Sequence, residues 1–261
     1  MFLIDSHCHL DKLNFNKNKL SKILKKAYSN KVKIILSISI SLNNFKKIKK
    51  LLKNNKYKIF YSCGIHPLHI KKKKNIFKKL YKYSKNKKVI AIGETGLDYF
   101  YSKNNILEQK YFFYKHIELS KKLNKPIIIH SRNSGKDIIK ILKKNESCKL
   151  KGILHSFNDN LKIALQLLDM NFYISLSGIV TFKNSKVLQS IIKNIPLNRL
   201  LLETDSPYLT PEPYRGKENQ PSYIYYIAKY ISNLLKIDIE ELSYITKKNF
   251  FKLFKLNKLK K

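Results

Sequence analysis

Residues 89–94 read Val89-Ile90-Ala91-Ile92-Gly93-Glu94, four apolar side chains followed by a glycine and a carboxylate. Short apolar runs bounded by turn-forming residues are typical of buried strands. Seven similar runs recur along the chain, and each is followed by a longer, lysine-rich segment with the apolar spacing of an amphipathic helix. The eight predicted strands are Phe2–Ser6, Lys33–Ile40, Ile59–Gly64, Val89–Gly93, Ile127–His130, Gly152–His155, Phe172–Ser177 and Leu200–Thr204.

Strands that alternate with helices predict a parallel sheet. Eight such units in a chain of 261 residues match the size of a (β/α)8 barrel, the TIM barrel, and no Pro/Gly-rich linker marks a second domain. We therefore predict an α/β barrel that forms one domain over residues 1–261, with a doubly wound open sheet as the structural alternative. An extra C-terminal helix is predicted from Ile239 to Phe254, with Asp238 and Glu241 placed as in a capping box.

The formal net charge is +37, from 54 Lys and Arg against 17 Asp and Glu. A basic surface is the usual electrostatic footprint of a nucleic-acid partner. However, arginine occurs only at Arg132, Arg199 and Arg215, while lysine, isoleucine and asparagine are abundant. Because A- and T-rich codons encode those three residues, we favour codon bias over selection for polyanion binding, and the charge alone is weak evidence for a partner.

The three cysteines, Cys8, Cys63 and Cys148, are odd in number and widely spaced, and they include no CxxC pair. This pattern excludes a disulfide scaffold and a zinc finger, and it is typical of reduced thiols. No run approaches the roughly 18 apolar residues of a membrane span, and Phe2 to Ile4 is too short for a signal peptide. We therefore expect a cytoplasmic protein with no membrane association and no obligate protein partner.

Six metal-competent side chains fall at the carboxyl ends of the predicted strands. His7 and His9 are two residues apart, so an extended chain directs both imidazoles to the same side. In a barrel, active sites form at this face, so residues distant in sequence converge there. Nitrogen and carboxylate donors without thiolate suit Zn, Mn or Mg in a hydrolytic centre. The predicted metal ligands are His7, His9, Glu94, His130, His155 and Asp205.

Other polar and aromatic residues near these strand ends are candidates for substrate contact. His66 ends the third strand, Arg132 lies two residues after His130, and Arg215 lies in a loop after the last strand. Loop anchoring is the structural alternative for both arginines, with Glu218 as the partner of Arg215. Tyr99, Phe100 and Tyr101 are candidates for stacking on unpaired bases, although a lid or core contact is the commoner explanation. His69 and His116 are interpreted as structural residues.

Several motifs resemble those of the TatD family of metal-dependent hydrolases, especially its bacterial YcfH-type branch. They are DSHCHLD (5–11), GIHP (64–67), GETGLDY (93–99), PIIIHSR (126–132), ETDSPYL (203–209) and RGKENQP (215–221). The resemblance extends from Phe2 to Phe254 and implies a (β/α)8 barrel with two divalent cations that hydrolyses DNA phosphodiester bonds. Where some relatives have His-Cys-Phe-Ser/Thr-Gly, this chain has His155-Ser156-Phe157-Asn158-Asp159 and so lacks the Cys and the Gly. We therefore expect the loop after the sixth strand, and the approach of substrate past it, to differ from those of these relatives.

The resemblance also implies a role for each ligand. It assigns His7, His9, Glu94 and Asp205 to a first cation and Glu94, His130 and His155 to a second, so that Glu94 bridges the pair. We expect a water activated by the metals to attack phosphorus in line, with Asp205 as the proton acceptor and Glu203 as the competing base. The alternatives are an ester or amide hydrolase, such as an aminoacyl-tRNA deacylase, and a non-catalytic nucleic-acid-binding protein.

Overall fold

The computed structural model describes residues 1–13, 17–71 and 73–256. Eight strands form one parallel sheet in chain order. They are β1 (Leu3–Cys8), β2 (Val32–Ser37), β3 (Lys58–Cys63), β4 (Val89–Asp98), β5 (Ile127–Arg132), β6 (Gly152–Leu154), β7 (Tyr173–Leu176) and β8 (Leu200–Leu202).

Helices follow the strands in regular alternation. They are α1 (Lys17–Ser29), α2 (Leu42–Leu51), α3 (Ile76–Ser84), α4 (Ile106–Leu123), α5 (Gly135–Lys144), α6 (Leu161–Asp169), α7 (Lys186–Ile192), α8 (Ile224–Leu235) and α9 (Ile239–Leu253). The predicted eight strands and the extra C-terminal helix are confirmed. Asp238 caps α9 as expected, although its side chain accepts a hydrogen bond from the Glu240 N–H at 2.6 Å rather than from Glu241.

The sheet curls until its first and last strands meet, which gives a nearly closed barrel and excludes the doubly wound alternative. Just beyond β8, the Asp205 N–H donates to the His7 carbonyl at 2.9 Å, and the His9 N–H donates to the Ser206 carbonyl at 2.9 Å. The seam between the chain's two ends therefore lies among predicted metal ligands.

Two apolar cores support the barrel. In β1, Leu3 belongs to the core shared with the surrounding helices, whereas Ile4 belongs to a second core with residues such as Ile128 and Leu201. Because side chains alternate along a strand, this second set fills the barrel interior. Phe250 and other α9 residues pack on the same interior core.

Helix α9 lies against the amino ends of the strands. The Phe2 N–H donates to the Ser243 hydroxyl at 2.9 Å, and that hydroxyl donates to the Phe2 carbonyl at 3.0 Å. The carboxyl ends of the strands are left for the site.

Candidate metal centre

The seam brings together a first donor cluster, formed by His7, His9, Asp205 and one oxygen of Glu94. The Nε2 atoms of His7 and His9 lie 3.3 Å apart. Asp205 Oδ1 lies 3.3 Å from His9 Nε2 and 3.6 Å from His7 Nε2. Glu94 Oε2 lies 3.6 and 3.7 Å from the same two nitrogens. Four potential ligand atoms thus lie close together, and those of His7, His9 and Glu94 are all within 4.8 Å of one another.

The other oxygen of Glu94 faces a second donor cluster. Glu94 Oε1 lies 2.9 Å from His155 Nε2, 3.1 Å from His130 Nδ1 and 3.4 Å from His66 Nε2. The His155 and His130 nitrogens are themselves 3.4 Å apart. Each cluster therefore receives one oxygen of the same carboxylate, which is the arrangement that a bridging ligand requires.

Glu94 lies inside β4 rather than after the fourth strand as predicted, because the strand continues past two glycines. Gly93 and Gly96 adopt φ values of +136° and +140°, which side chains other than glycine rarely adopt. A β-carbon on Gly93 would lie 2.6 Å from the Ile128 carbonyl oxygen, and one on Gly96 would overlap the His130 carbonyl oxygen. The two glycines allow β4 to approach β5 closely on either side of Glu94.

Two buried carboxylates hold imidazoles of the second cluster from behind. Asp98 Oδ2 lies 2.9 Å from His130 Nε2, and Glu203 Oε1 lies 3.4 Å from His155 Nδ1. Glu203 Oε1 also accepts the Ser156 N–H at 2.6 Å. Such contacts fix the ring orientation and tautomer of a ligating histidine. Glu203 does not line the cavity described below, so its position supports this orienting role rather than that of a base.

Sequence reasoning did not assign Asp98 to the site. Its signal was present in Gly93-Glu94-Thr95-Gly96-Leu97-Asp98, because positions 94, 96 and 98 share one face of an extended strand. Burial opposes ionisation of Asp98, but hydrogen bonds from His130 and from the Tyr101 N–H outweigh it and lower the pKa. Asp98 is therefore an ionised acceptor for His130 at neutral pH.

Asp5 links β1 to the residues that follow β8. Its Oδ1 accepts the Thr204 N–H at 2.9 Å and the His7 N–H at 3.3 Å, and its Oδ2 accepts the Thr204 hydroxyl at 2.6 Å. Burial raises the pKa of this carboxyl to about 7 despite these hydrogen bonds. Asp5 thus positions the backbone beside His7 and Asp205 without entering either donor cluster.

The donor atoms fit divalent cations. Glu94 Oε2 and Asp205 Oδ1 are buried and have no hydrogen-bond partner among the described residues. Burial opposes both charges, but the neighbouring imidazoles outweigh it and lower the pKa of each carboxyl. Burial lowers the pKa of His66 to about 3, which leaves a neutral ring with a lone pair. Burial also opposes the charge of three other rings, but nearby carboxylates outweigh it and raise the pKa of His9, His130 and His155. A cation must therefore displace protons from these rings to use their nitrogens.

The donor spacing agrees with this chemistry. Ligands about 2.0–2.2 Å from one ion are separated by roughly 2.8–3.6 Å, depending on the coordination geometry. The separations given above are 3.3–3.7 Å in the first cluster and 2.9–3.4 Å in the second. The second set agrees with this range and the first slightly exceeds it at 3.7 Å, and each cluster contains three ligand atoms that lie within 4.8 Å of one another.

Both clusters open into a cavity of about 1240 Å³. His66, predicted as a substrate contact, lines this cavity but also belongs to the second donor cluster. Arg132 lies at the cavity rim over the rings of Phe100 and Tyr101. Arg215 is placed elsewhere, since its guanidinium stacks on Phe182 at 3.5 Å and it does not line the cavity.

A (β/α)8 barrel with a histidine and carboxylate centre at the carboxyl ends of its strands defines a metal-dependent hydrolase. The sequence matches the family described as TatD related DNase over residues 4–255, and the chain belongs to this family. It is 54% identical over 264 residues to a metal-dependent hydrolase of Buchnera aphidicola from Acyrthosiphon pisum. The aligned region covers 98% of this chain and 100% of the relative.

Two Escherichia coli proteins extend the comparison. The metal-dependent hydrolase YcfH is 39% identical over 259 residues, with 98% of this chain and 97% of the relative covered. The crystal structure of YjjV, a TatD homologue, superposes with a TM-score of 0.90 at 25% identity and covers 97% of this chain and 98% of its own. The predicted family resemblance is confirmed. Among the described residues, the helices include none that combines the length and apolarity needed to cross a membrane.

Proposed function

We propose that this protein is a deoxyribonuclease that hydrolyses DNA phosphodiester bonds with two divalent cations. The observation that carries this proposal is that the two carboxylate oxygens of Glu94 face different donor clusters. Its Oε2 faces His7 and His9, and its Oε1 faces His130 and His155. One carboxylate shared between two donor clusters suits a two-metal hydrolytic centre, in which paired cations act on the attacking and leaving oxygens of a phosphoryl group.

The ligands are assigned by cluster. His7, His9, Glu94 and Asp205 hold the first cation, and Glu94, His130 and His155 hold the second. His66 joins the second set because its Nε2 lies 3.4 Å from Glu94 Oε1. The imidazole-rich donor set favours Zn²⁺ or Mn²⁺ over Mg²⁺, which prefers oxygen ligands and retains several waters.

The net charge of the centre supports an anionic substrate. Two divalent cations bring four positive charges, and Glu94, Asp205 and the ionised Asp98 return three, so the loaded centre stays positive and attracts a phosphodiester. When bound, the cations supply Lewis acidity, which lowers the pKa of water and neutralises charge on phosphate oxygens. Lys12, Arg132 and Lys136 line the same cavity and add positive charge around the path of the substrate.

The protein's own residues position the substrate and move the proton. Asp205 lines the cavity and its pKa is lowered, so it is ionised at neutral pH and can accept a proton from the attacking water. As the new phosphorus–oxygen bond forms, the bond to the leaving oxygen breaks on the opposite side of phosphorus, where solvent water protonates the leaving alkoxide, and Asp205 releases its proton to solvent. Asp98 and Glu203 keep His130 and His155 oriented throughout.

We also infer that residues 1–261 act as one domain, in the cytoplasm and without an obligate protein partner. The family match over residues 4–255 supports the single domain. The three cysteines are free, which suits a reducing compartment.

The test is hydrolysis by metal-loaded protein of single-stranded oligonucleotides labelled at the 3′ or 5′ end, with an aminoacyl-tRNA as a competing substrate. We expect DNA cleavage that requires divalent metal and disappears in His7→Ala and Asp205→Ala. Asp169→Ala, which changes an exposed carboxylate on α6, is the matched control and keeps activity. Metal-independent cleavage, or turnover of the aminoacyl ester without cleavage of DNA, would reject the proposal.

A further inference from the structure

Two large aromatic side chains are exposed at the rim of the catalytic cavity. Phe100 and Tyr101 are the second and third residues after β4 and are 54% and 63% exposed. Their ring centroids lie 4.8 Å apart with the planes perpendicular. Both side chains line the cavity that contains Glu94 and the histidines. More than half of their surface is in water, so they are not core residues, and burial on this protein does not account for them.

Arg132 completes this rim. Its guanidinium carbon lies 4.6 Å from the Phe100 ring centroid and 4.8 Å from that of Tyr101. The side chain is itself exposed, and among the described residues no carboxylate lies within ion-pair distance of it. We call Phe100, Tyr101 and Arg132 the aromatic rim. Its parts are two apolar faces and a cation that retains its hydrogen-bond donors.

Asp98 fixes the aromatic rim relative to the metal centre. Its Oδ1 accepts the Phe100 N–H at 3.1 Å and the Tyr101 N–H at 2.9 Å, while its Oδ2 contacts His130 Nε2 at 2.9 Å. The Asp98 N–H in turn donates to Gln109 Oε1 at 2.7 Å. One buried carboxylate therefore orients a predicted metal ligand and the backbone that carries the rim.

Tyr99 differs from its two neighbours. Its hydroxyl donates to Asp137 Oδ2 at 2.7 Å, and its N–H donates to the Arg132 carbonyl at 2.9 Å. These bonds anchor the loop to β5 and α5. Of the three aromatic residues that the sequence offered for stacking, Tyr99 has a structural role and the other two are free to contact a ligand.

We propose that the aromatic rim is a subsite for an unpaired nucleobase of the strand that is cleaved, which rests on the proposed nuclease function. Aromatic faces stack on any base, and an arginine beside them adds cation–π attraction and a donor for phosphate. A base within a duplex keeps both faces in its own stack, so the subsite selects single-stranded ends. The rigid link through Asp98 holds the stacked base at a fixed place beside the phosphate at the metals.

The test compares strands that differ only in their bases. One substrate is a labelled single-stranded oligonucleotide, and the other has the same sequence with abasic nucleotides at the two positions nearest the cleaved end. For the wild-type enzyme, we expect the abasic strand to raise KM by roughly five- to a hundredfold, which corresponds to the loss of one stacked base. The kcat at saturating substrate stays close to that of the normal strand.

The variant Phe100→Ala/Tyr101→Ala should show the raised KM on the normal strand and no further increase on the abasic strand. The exchange Phe100→Tyr/Tyr101→Phe keeps both rings and should restore the discrimination against the abasic strand that the double alanine variant loses. Tyr244→Ala, which removes an equally exposed tyrosine on α9, is the control for loss of surface aromatic area.

Two results overturn the subsite. If the double alanine variant still shows the higher KM on the abasic strand than on the normal strand, the aromatic rim is not the stacking surface. A fall in kcat alone, equal on both strands, assigns the loop to support of the metal centre instead. In either case, cleavage of DNA by the wild-type enzyme still supports the proposed function. If the wild-type enzyme cleaves no DNA, both the proposed function and the subsite are rejected.

Discussion

Asp98→Asn removes one negative charge and leaves the size of the side chain almost unchanged. The carboxylate has two tasks, because one oxygen accepts two backbone N–H groups and the other accepts from His130 Nε2 at 2.9 Å. An amide has one acceptor oxygen. If that oxygen stays with the backbone, the amide nitrogen faces His130. The amide N–H and the Nε2–H of His130, both donors, then face each other, where the carboxylate of Asp98 had accepted a hydrogen bond. The orientation of the His130 ring is then no longer held.

The expected magnitude follows from this contact. A hydrogen bond to a charged group contributes about 1.5–3 kcal/mol, which is roughly a ten- to hundredfold change in an equilibrium constant. Mutation of residues that orient metal ligands costs about 10- to 100-fold in affinity or activity. We therefore expect Asp98→Asn to bind Zn²⁺ or Mn²⁺ about 10- to 100-fold more weakly, with most of the hydrolysis rate recovered at saturating metal.

The assay is titration of metal-stripped protein against a competing chelator, followed by hydrolysis at increasing free metal. Asp137→Asn is the matched control, because Asp137 also accepts a hydrogen bond from a neighbouring side chain, the Tyr99 hydroxyl, and pairs with Lys110 at 2.6 Å without touching a donor cluster. Equal metal affinity in Asp98→Asn and the wild type would refute the role assigned to this carboxylate.

Three further predictions concern the centre and its support. Glu203→Gln should weaken metal binding through the loss of its contact to His155 while kcat at saturating metal survives; a collapse of kcat at saturating metal would identify Glu203 as the base. Removal of metal with a chelator should lower the melting temperature measured by calorimetry, because cations that bind only the folded chain stabilise it; an unchanged melting temperature would contradict the predicted ligands. Burial lowers the pKa of His116 to about 4, below the ordinary value near 6.5, so its neutral ring, which accepts the Ile65 N–H at 3.0 Å, contributes in full above pH 6.5 and is lost as pH falls toward 4. The advantage of the wild type over His116→Gln in the free energy of unfolding should shrink on acidification by up to about 3 kcal/mol in urea titrations, and a constant difference would show that this ring is not the group that titrates.

The barrel was predictable because apolar runs and helical segments alternate eight times. The extent of β4 was not, since Gly93 and Gly96 indicate the end of a strand when read alone. In the structure these glycines fit close against β5, and the strand continues to Asp98. The sequence therefore located Glu94 at the carboxyl end of the barrel, but Asp98, four residues further on, is recognised as part of the site only once β4 is known to continue to it.

The position of His66 also required the structure. The sequence places it beyond β3, where a substrate contact is a reasonable interpretation, but the direction of its ring depends on the turn that follows. There His66 Nδ1 accepts the Leu68 N–H at 3.1 Å, which leaves Nε2 to face Glu94. Which nitrogen of an imidazole is free is set by a local hydrogen bond that residue spacing does not reveal.

The packed barrel interior, with α9 against it at the amino ends of the strands, has a kinetic consequence. Because side chains fill the barrel interior, a fragment released by hydrolysis must leave through the cavity at the carboxyl ends of the strands, which the next substrate also enters. Product that stays bound in this cavity therefore competes with the next substrate molecule for the same space. The turnover rate consequently depends on the release of product from this cavity as well as on bond cleavage.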